Sequence, residues 1–390
     1  MRLAERMDRL GTESAFEVLA RAREMEEEGR TVIHLEIGEP DFETPAHVAE
    51  AGVRAIRDGL THYAPAGGIP ELREAAAAFF ARTRGVEVPA GRIVVTPGAK
   101  PIMFYAIMAT CGPGDEVVYP DPGFPMFESI TAFAGATPVP VPLREENGFR
   151  VDPDELGSLV GDRTRMVILN TPHNPCGSAL GPGEVERIAQ VVAGRDLYVL
   201  TDEMYWAIRY GGQHLSIAAI EGLADRTILL DGCSKTFAMT GWRLGFAALP
   251  EPLVEPVTRL VINSVSCTAT FVQAAAVAAL EGPMDEVDRM VEELHARRSV
   301  IVEGLNAIEG IACAQPDGAF YAFPNVGSLG GTSRRLASHL LEAAGVACLW
   351  GTAFGRYGEG HLRISYANSV ENIRAALAAI QDALPSYRPA

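Results

Sequence analysis

The sequence predicts an α/β fold: a mostly parallel sheet with helices on both faces, followed by a smaller α+β unit. Three observations predict it. Apolar runs of buried-strand length, at 93–95, 117–119, 165–169, 197–200 and 226–230, are interleaved with helical patterns. Such alternation over this length favours parallel strands joined by crossover helices. Most of these runs also empty into turns rich in Pro, Gly, Asn or Asp, at the strand ends where α/β sheets bind ligands. At 390 residues the chain is long enough for two domains and a large core.

In chain order, a polar arm reaches about residue 12, and 14–28 reads as an amphipathic helix stopped by Gly29. Phe16, Leu19 and Arg23 share one helical spacing, and Val18, Ala22 and Met25 another. A short strand at 32–35 delivers Gly38-Glu39-Pro40-Asp41, where the glycine suits either close backbone approach or a simple turn. Residues 61–73 form a loop, with Tyr63 in its turn, that opens a helix carrying Leu72, Ala76, Phe79 and Phe80. The 93–95 strand enters Thr96-Pro97-Gly98-Ala99-Lys100 and an apolar helix at 101–110. A helix N-terminus offers free N–H groups to an anion, so the amides of Ala99 and Lys100 are candidates for holding a phosphate; a solvated Lys100 is the plainer reading. The P-loop string is absent.

Residues 117–119 lead into a Pro-rich turn containing Phe124, and 131–162 read as connecting structure within the same domain. A helix at 183–192 returns the chain to the 197–200 strand. Beyond a strand at 244–249 come helices at 254–265 and 270–280, then a long helix at 284–308 that joins the domains. The smaller unit has strands at 318–323 and 361–366 around a helix at 334–344. Arg363 alternates inside an apolar strand, which is expensive unless its guanidinium meets an anion.

The densest chemistry lies after the 226–230 strand, in Ser234-Lys235 and Gly241-x-Arg243. A lysine amine forms a Schiff base with an aldehyde cofactor when burial or a nearby cation lowers its pKa. Asn174 follows the 165–169 strand, and Asp202 and Tyr205 follow the 197–200 strand. A pyridine electron sink needs a fixed carboxylate beside its nitrogen, for which Asp202 is the candidate. The Asn174 amide and the Tyr205 hydroxyl are donors suited to the ring's phenolic oxygen. Taken singly, Lys235 reads as a surface lysine, Asn174 as a turn former, Asp202 as a helix N-cap and Tyr205 as a half-buried aromatic. Their shared position at strand ends is what favours a site.

Together, Asn174-Pro175-x-Gly177, Asp202-x-x-Tyr205, Ser234-Lys235 and Gly241-x-Arg243 resemble the class I/II aminotransferases of fold type I, aspartate aminotransferase-like, over nearly the whole chain. The resemblance implies pyridoxal 5'-phosphate as cofactor and a large domain with a seven-stranded sheet at 46–284. It implies an arm and part of a small domain at 1–45, and an interdomain helix with the small domain at 285–390. Lys235, Asp202 and Tyr205 become the catalytic residues. Gly98, Ala99, Lys100, Phe124, Asn174, Ser234 and Arg243 join them around the cofactor, with Tyr63 contributed across a homodimer interface. Gly38, Asn174 and Arg363 become the substrate-binding residues, Arg363 for the α-carboxylate. No metal is implied. The reaction expected is amino transfer between an L-amino acid and a 2-oxo acid by a ping-pong mechanism, with aspartate or glutamate suggested as donor by Lys100. Cys176 and Phe124 depart from the residues more usual in the family. They leave open a side reaction such as β- or γ-elimination, decarboxylation or oxidation. The alternatives are an aminotransferase for neutral or aromatic amino acids in a specialised pathway, or a lyase or cyclase on the same cofactor. Pocket width is expected to depend on 12–15, Gly38, Lys100 and Tyr321.

Composition agrees. A net charge of −17 argues against nucleic acid and anionic membrane as partners, because both need a cationic footprint. The six cysteines, at 111, 176, 233, 267, 313 and 348, form no C-x-x-C pair and have no metal-ligand spacing. With no long apolar segment after Met1, they predict a reduced, cytoplasmic protein. No room is seen at the N-terminus for the DNA-binding domain that a cofactor-sensing regulator would need.

Overall fold

The computed structural model describes residues 2–389. Helix α1 (Ser14–Glu27) precedes strand β1 (Ile33–His34), and α2 (Ala46–Arg57) and α3 (Pro70–Arg84) lead to β2 (Ile93–Thr96). Proline at the first position of α3 and Gly85 in the left-handed conformation after it, at φ 68°, start and stop that helix in the usual way. Then follow α4 (Lys100–Thr110), β3 (Glu116–Asp121), α5 (Met126–Ala134), β4 (Thr137–Pro142), α6 (Pro153–Leu159), β5 (Thr164–Asn170), α7 (Pro182–Val192) and β6 (Tyr198–Asp202). β7 (Thr227–Gly232) runs directly into the one-turn helix α8 (Cys233–Thr236), and β8 (Gly245–Ala248) follows. Helices α9 (Glu251–Ser264), α10 (Thr270–Glu281) and α11 (Asp285–Asn306) come before the remaining strands β9 (Tyr321–Ala322), β10 (Val346–Ala347), β11 (Leu349–Trp350) and β12 (Leu362–Ser365). Between and after these strands lie α12 (Ser333–His339) and α13 (Val370–Ala383).

Seven strands form one sheet in the order β2-β8-β7-β6-β5-β3-β4, parallel throughout except for β8. Successive residues of β5 face opposite cores: Met166 and Ile168 join one apolar cluster, Val167 and Leu169 the other. Both faces are therefore covered, which is why these strands read as continuous apolar runs. β9, β11 and β12 form a three-stranded antiparallel sheet, and β1 pairs in parallel with β10. At 22 residues, about 33 Å long, α11 connects the segments that carry the two larger sheets.

The 131–162 segment is not merely connecting structure, because it contains the edge strand β4 and helix α6. Pro138, Pro140 and Pro142 disguised β4, since proline cannot donate to a ladder. As an edge strand β4 needs donors on one side only. The N–H groups of Thr137 and Leu143 point to β3, and the prolines occupy the alternate positions that face outward. The strand expected at 318–323 is also shorter, with only Tyr321 and Ala322 in the ladder. Asp202 caps no helix; its strand gives way to a succession of turns.

A buried ionic cluster lies under the β6 and β7 ends. Arg84, at the last turn of α3, contacts the Asp231 carboxylate, lies 3.5 Å from Glu203 and places its guanidinium 3.9 Å from the Trp206 ring centre. His214 Nε2 meets the same Glu203 oxygen, Oε2, at 2.9 Å. Burial pushes Glu203 up, but His214 and Arg84 together carry it below the usual carboxylate value. Asp231 is pushed up to about 6 by burial against the pull of Arg84. Removing one member of such a group leaves the rest as uncompensated buried charge. Arg84→Met is expected to lower the unfolding free energy by about 3–5 kcal/mol, read as a lower urea midpoint. A loss under about 1 kcal/mol would show that the cluster does not brace these strands.

Candidate active site

The carboxyl ends of β5, β6 and β7 lie side by side, with Asn170 opposite Asp202 in the ladder and Lys235 one turn beyond β7. β2, also parallel to β7, ends beside them and delivers Gly98, Ala99 and Lys100 to the start of α4. Together they floor a cavity of about 450 Å³. Gly38, Ala99, Lys100, Phe124, Asn174, Asp202, Tyr205, Ser234, Lys235, Arg243 and Arg363 all line it. Residues separated by more than 300 positions in sequence are thus brought to one wall.

Lys235 Nζ donates to the Gly38 carbonyl at 2.5 Å. Burial lowers its pKa to about 8, against the pull of Glu39 and with the help of Arg363, Arg243 and Lys100. The result is a lysine substantially neutral in mildly alkaline solution. Gly38 has no room for a side chain, because a Cβ there would run into the Tyr321 hydroxyl. Close backbone approach, rather than a simple turn, accounts for this glycine.

Asp202 is buried, and its carboxyl is pushed up to about 7, chiefly by desolvation. The Met204 N–H donates to its Oδ1 at 3.2 Å, and Lys235 also favours the charged form. Such a carboxylate is held ready for a cationic partner. The Tyr205 hydroxyl shares a hydrogen bond of 2.7 Å with that of Tyr321, and burial raises its pKa. Asn174 is anchored through its backbone N–H to Asn170 Oδ1 at 2.9 Å, while its own Oδ1 accepts from Arg363 at 3.2 Å.

Arg363 projects from β12 and is buried, with Tyr321 and Phe354 stacked about it at 4.6 and 4.8 Å. It donates to the Glu36 carbonyl and to Asn174, but its buried Nε has no partner. A buried guanidinium with an unmatched donor is suited to an anion entering the cavity.

The start of α4 offers a second anion site. Ala99 occupies its N-cap position with no side-chain cap, so no side chain there consumes the first amide donors. Gly98, at φ 84°, passes so close to the Arg243 guanidinium that a Cβ would collide with it. Gly245 is equally constrained, since its Cβ would meet the backbone of Gly98 and Ala99. With Ser234 nearby on the wall, this cradle of amides, hydroxyl and guanidinium fits a phosphate. Phe124, half-buried and packed edge-on against Phe127, supplies a flat apolar surface on the cavity wall. The residues present therefore fit a phosphorylated pyridine aldehyde: Lys235 for the aldehyde, Asp202 for a ring cation, Tyr205 and Asn174 for a ring oxygen.

Tyr63 is not brought to the cavity of its own chain, where it is 90% exposed. Glu39, Asn170 and Thr240 do line it, though none was expected to, and Glu13 lines it from the 12–15 stretch expected to affect pocket width. Asn170 had a readable signal in its place at the end of an apolar strand. For Glu13 the 12–15 stretch was expected at the pocket, but its pairing with Lys100 had no readable signal. Among the described residues, no group of three or more His, Cys, Asp or Glu side chains is arranged to hold a metal ion, and no helix is long and apolar enough to cross a membrane.

The family model described as "Aminotransferase class I and II" matches residues 30–380. The aspartate aminotransferase of Pyrococcus horikoshii is 40% identical over 385 residues, covering 98% of this chain and 97% of that protein. Aromatic-amino-acid aminotransferase 2 of Thermococcus litoralis is 41% identical over 350 residues, covering 89% of this chain and 90% of that one. Among solved structures, the aspartate aminotransferase from Rhizobium meliloti superposes with a TM-score of 0.93 at 37% identity, covering 99% of each chain.

The lowered pKa of Lys235 has a direct chemical readout. An acylating reagent attacks only the neutral amine, so labelling of Lys235 in the cofactor-free protein should rise with pH around a midpoint near 8. Peptide mass spectrometry across a pH series reads this position. A midpoint near the ordinary value of 10.5 would mean that the site does not desolvate the amine.

Proposed function

Because the chain belongs to the class I and II aminotransferases, and is thus a pyridoxal phosphate-dependent aminotransferase, we propose how its residues divide that work. The observation that carries the proposal is one cavity bounded by a desolvated lysine, a desolvated carboxylate, an uncapped helix N-terminus and a buried arginine.

When bound, the cofactor supplies an aldehyde that takes up the amino group and a protonated ring that accepts electrons from the substrate Cα. The Gly98–Lys100 amides, Ser234 and Arg243 hold its phosphate, Phe124 covers its ring, and Tyr205 and Asn174 orient its ring oxygen. Asp202 keeps the ring nitrogen protonated through its charge, which Lys235 also favours. Arg363 takes the substrate α-carboxylate and aligns Cα with Lys235 Nζ, with the Gly38 carbonyl fixing where that amine rests. Lys235 Nζ, being readily deprotonated, removes the Cα proton and returns one on the opposite half of the cycle. One pocket serves donor and acceptor in turn, which is ping-pong order.

The donor proposed is aspartate or glutamate, supported by Lys100 on the wall and by the names of the relatives from P. horikoshii and R. meliloti. A neutral or aromatic donor is the second reading, supported by the T. litoralis relative and by a carboxylate, Glu13, already on Lys100. We further propose a cytoplasmic homodimer in which Tyr63 reaches the partner's phosphate site. Its 90% exposure, beside the exposed Leu60, supports this. The domain division at 45/46 and 284/285 belongs to the same proposal, with Arg363 coupling small-domain closure to carboxylate arrival.

Each amino acid supplied alone should release one equivalent of 2-oxo acid per subunit and then stop until an oxo acid is added. Continuous product release without acceptor would indicate a lyase instead. Lys235→Ala should slow the reaction by roughly 10²–10⁴-fold or more. Arg363→Gln should lower kcat/KM by roughly 30-fold or more, about 2 kcal/mol, across all donors alike. Mixing Tyr63→Ala with Lys235→Ala subunits should restore activity that neither has alone, since one hybrid site then holds both side chains. Failure to restore it would remove Tyr63 from the partner's site.

A further inference from the structure

We propose that Glu13 sets how strongly this enzyme distinguishes acidic from neutral substrates, by acting as a built-in rival for the side-chain carboxylate at Lys100. The inference rests on the reading of the cavity as the aminotransferase substrate site and names a specificity residue within it.

The Glu13 carboxylate contacts Lys100 Nζ directly, with side-chain exposures of 19% and 41%, so the pair is shielded but reachable from the cavity. Lys100 Nζ also lies 5.4 Å from the centre of the Phe124 ring, which places the pair at the end of the cavity over that ring. Glu13 and Arg363 line a small adjoining recess as well, so Glu13 lies within reach of a substrate held by Arg363. The other carboxylate beside the lysines, Glu39, is held by Thr240 and makes no contact with Lys100.

An ammonium has three donors, and one already serves Glu13. A substrate carboxylate arriving there must displace Glu13 or lie against it, and two carboxylates at such separation repel. A neutral side chain meets no such rival, because the ion pair presents little net charge. The pair therefore lets one pocket take both classes, as a ping-pong enzyme with unlike donor and acceptor requires. Glu13 is free to yield: it lies at the N-cap position of α1 without a side-chain capping bond, and the arm before it is tied to α5 through the Gly11 N–H on Ser129 at 2.8 Å.

The test compares kcat/KM for glutamate and for alanine in the cofactor-loaded enzyme and in Glu13→Gln. The glutamate-to-alanine ratio should rise about tenfold as Lys100 is released to the substrate carboxylate. Adding Lys100→Met to Glu13→Gln should erase the gain, and inhibition by an unreactive dicarboxylate should tighten in Glu13→Gln in the same proportion. A ratio that stays within about twofold, or falls, overturns the proposal, since Glu13 would then be inert or would hold Lys100 in place for the acid. Because a ratio is read, partial loss of folded enzyme does not imitate the effect. If the wild-type protein releases no 2-oxo acid from either amino acid, the reading of the cavity fails, and this inference with it.

Discussion

Desolvation of ionisable groups at the ends of parallel strands is the constraint on which the site depends. Asp202 and Lys235 are displaced toward neutrality from opposite sides, to about 7 and about 8, and in both burial is the largest cause. Neither would be so placed on a loop in water. Holding them there requires a rigid floor, and the adjacent ladder positions of β5, β6 and β7 provide one. It also requires that the floor not be undermined by its own charges. Arg84 meets that need from below by compensating Glu203 and Asp231, which neighbour Asp202 and precede Lys235 in sequence. Arg84 touches nothing in the cavity, yet the shifted groups depend on charges it balances.

The parts of this architecture that were legible in the sequence are those written locally. Buried strands declare themselves as apolar runs because helices cover both faces, and the turn that follows each run marks where a ligand can sit. Lys235, Asp202 and Asn174 were readable for that reason, and Arg363 as a charged residue inside an apolar strand. β4 was not, since proline at every second position mimics a loop and is tolerated only where one side of a strand has no neighbour. Glu13 was legible only as part of a stretch affecting pocket width, since nothing near it in sequence reports that α1 starts over Lys100, 87 positions away. Tyr321 was legible only as a residue affecting pocket width, whereas its hydroxyl both bonds Tyr205 and excludes a side chain at Gly38. Side chains that meet through tertiary packing leave no periodic trace.

The charge of the cavity runs against that of the whole protein, and the difference has a physical consequence. The chain carries −17, while Lys100, Lys235, Arg243 and Arg363 face a cavity whose carboxylates are Glu13, Glu39 and Asp202. Amino-acid and oxo-acid carboxylates and a phosphate are all anions, so the protein's overall field opposes their approach. At physiological ionic strength that field is screened within about 8 Å, and the local cations decide the outcome. Of those cations, Lys100 is paired, Lys235 gives up its proton readily with a pKa lowered to about 8, and Arg243 stands beside Gly98 at the start of α4. Arg363 alone among them is buried with a donor unmatched. In the proposed arrangement an incoming carboxylate is matched by Arg363, which fixes the α-carbon while the side chain is sensed elsewhere in the cavity. In that arrangement recognition of the common part of every substrate is separate from discrimination among side chains, as a single pocket serving two substrates demands.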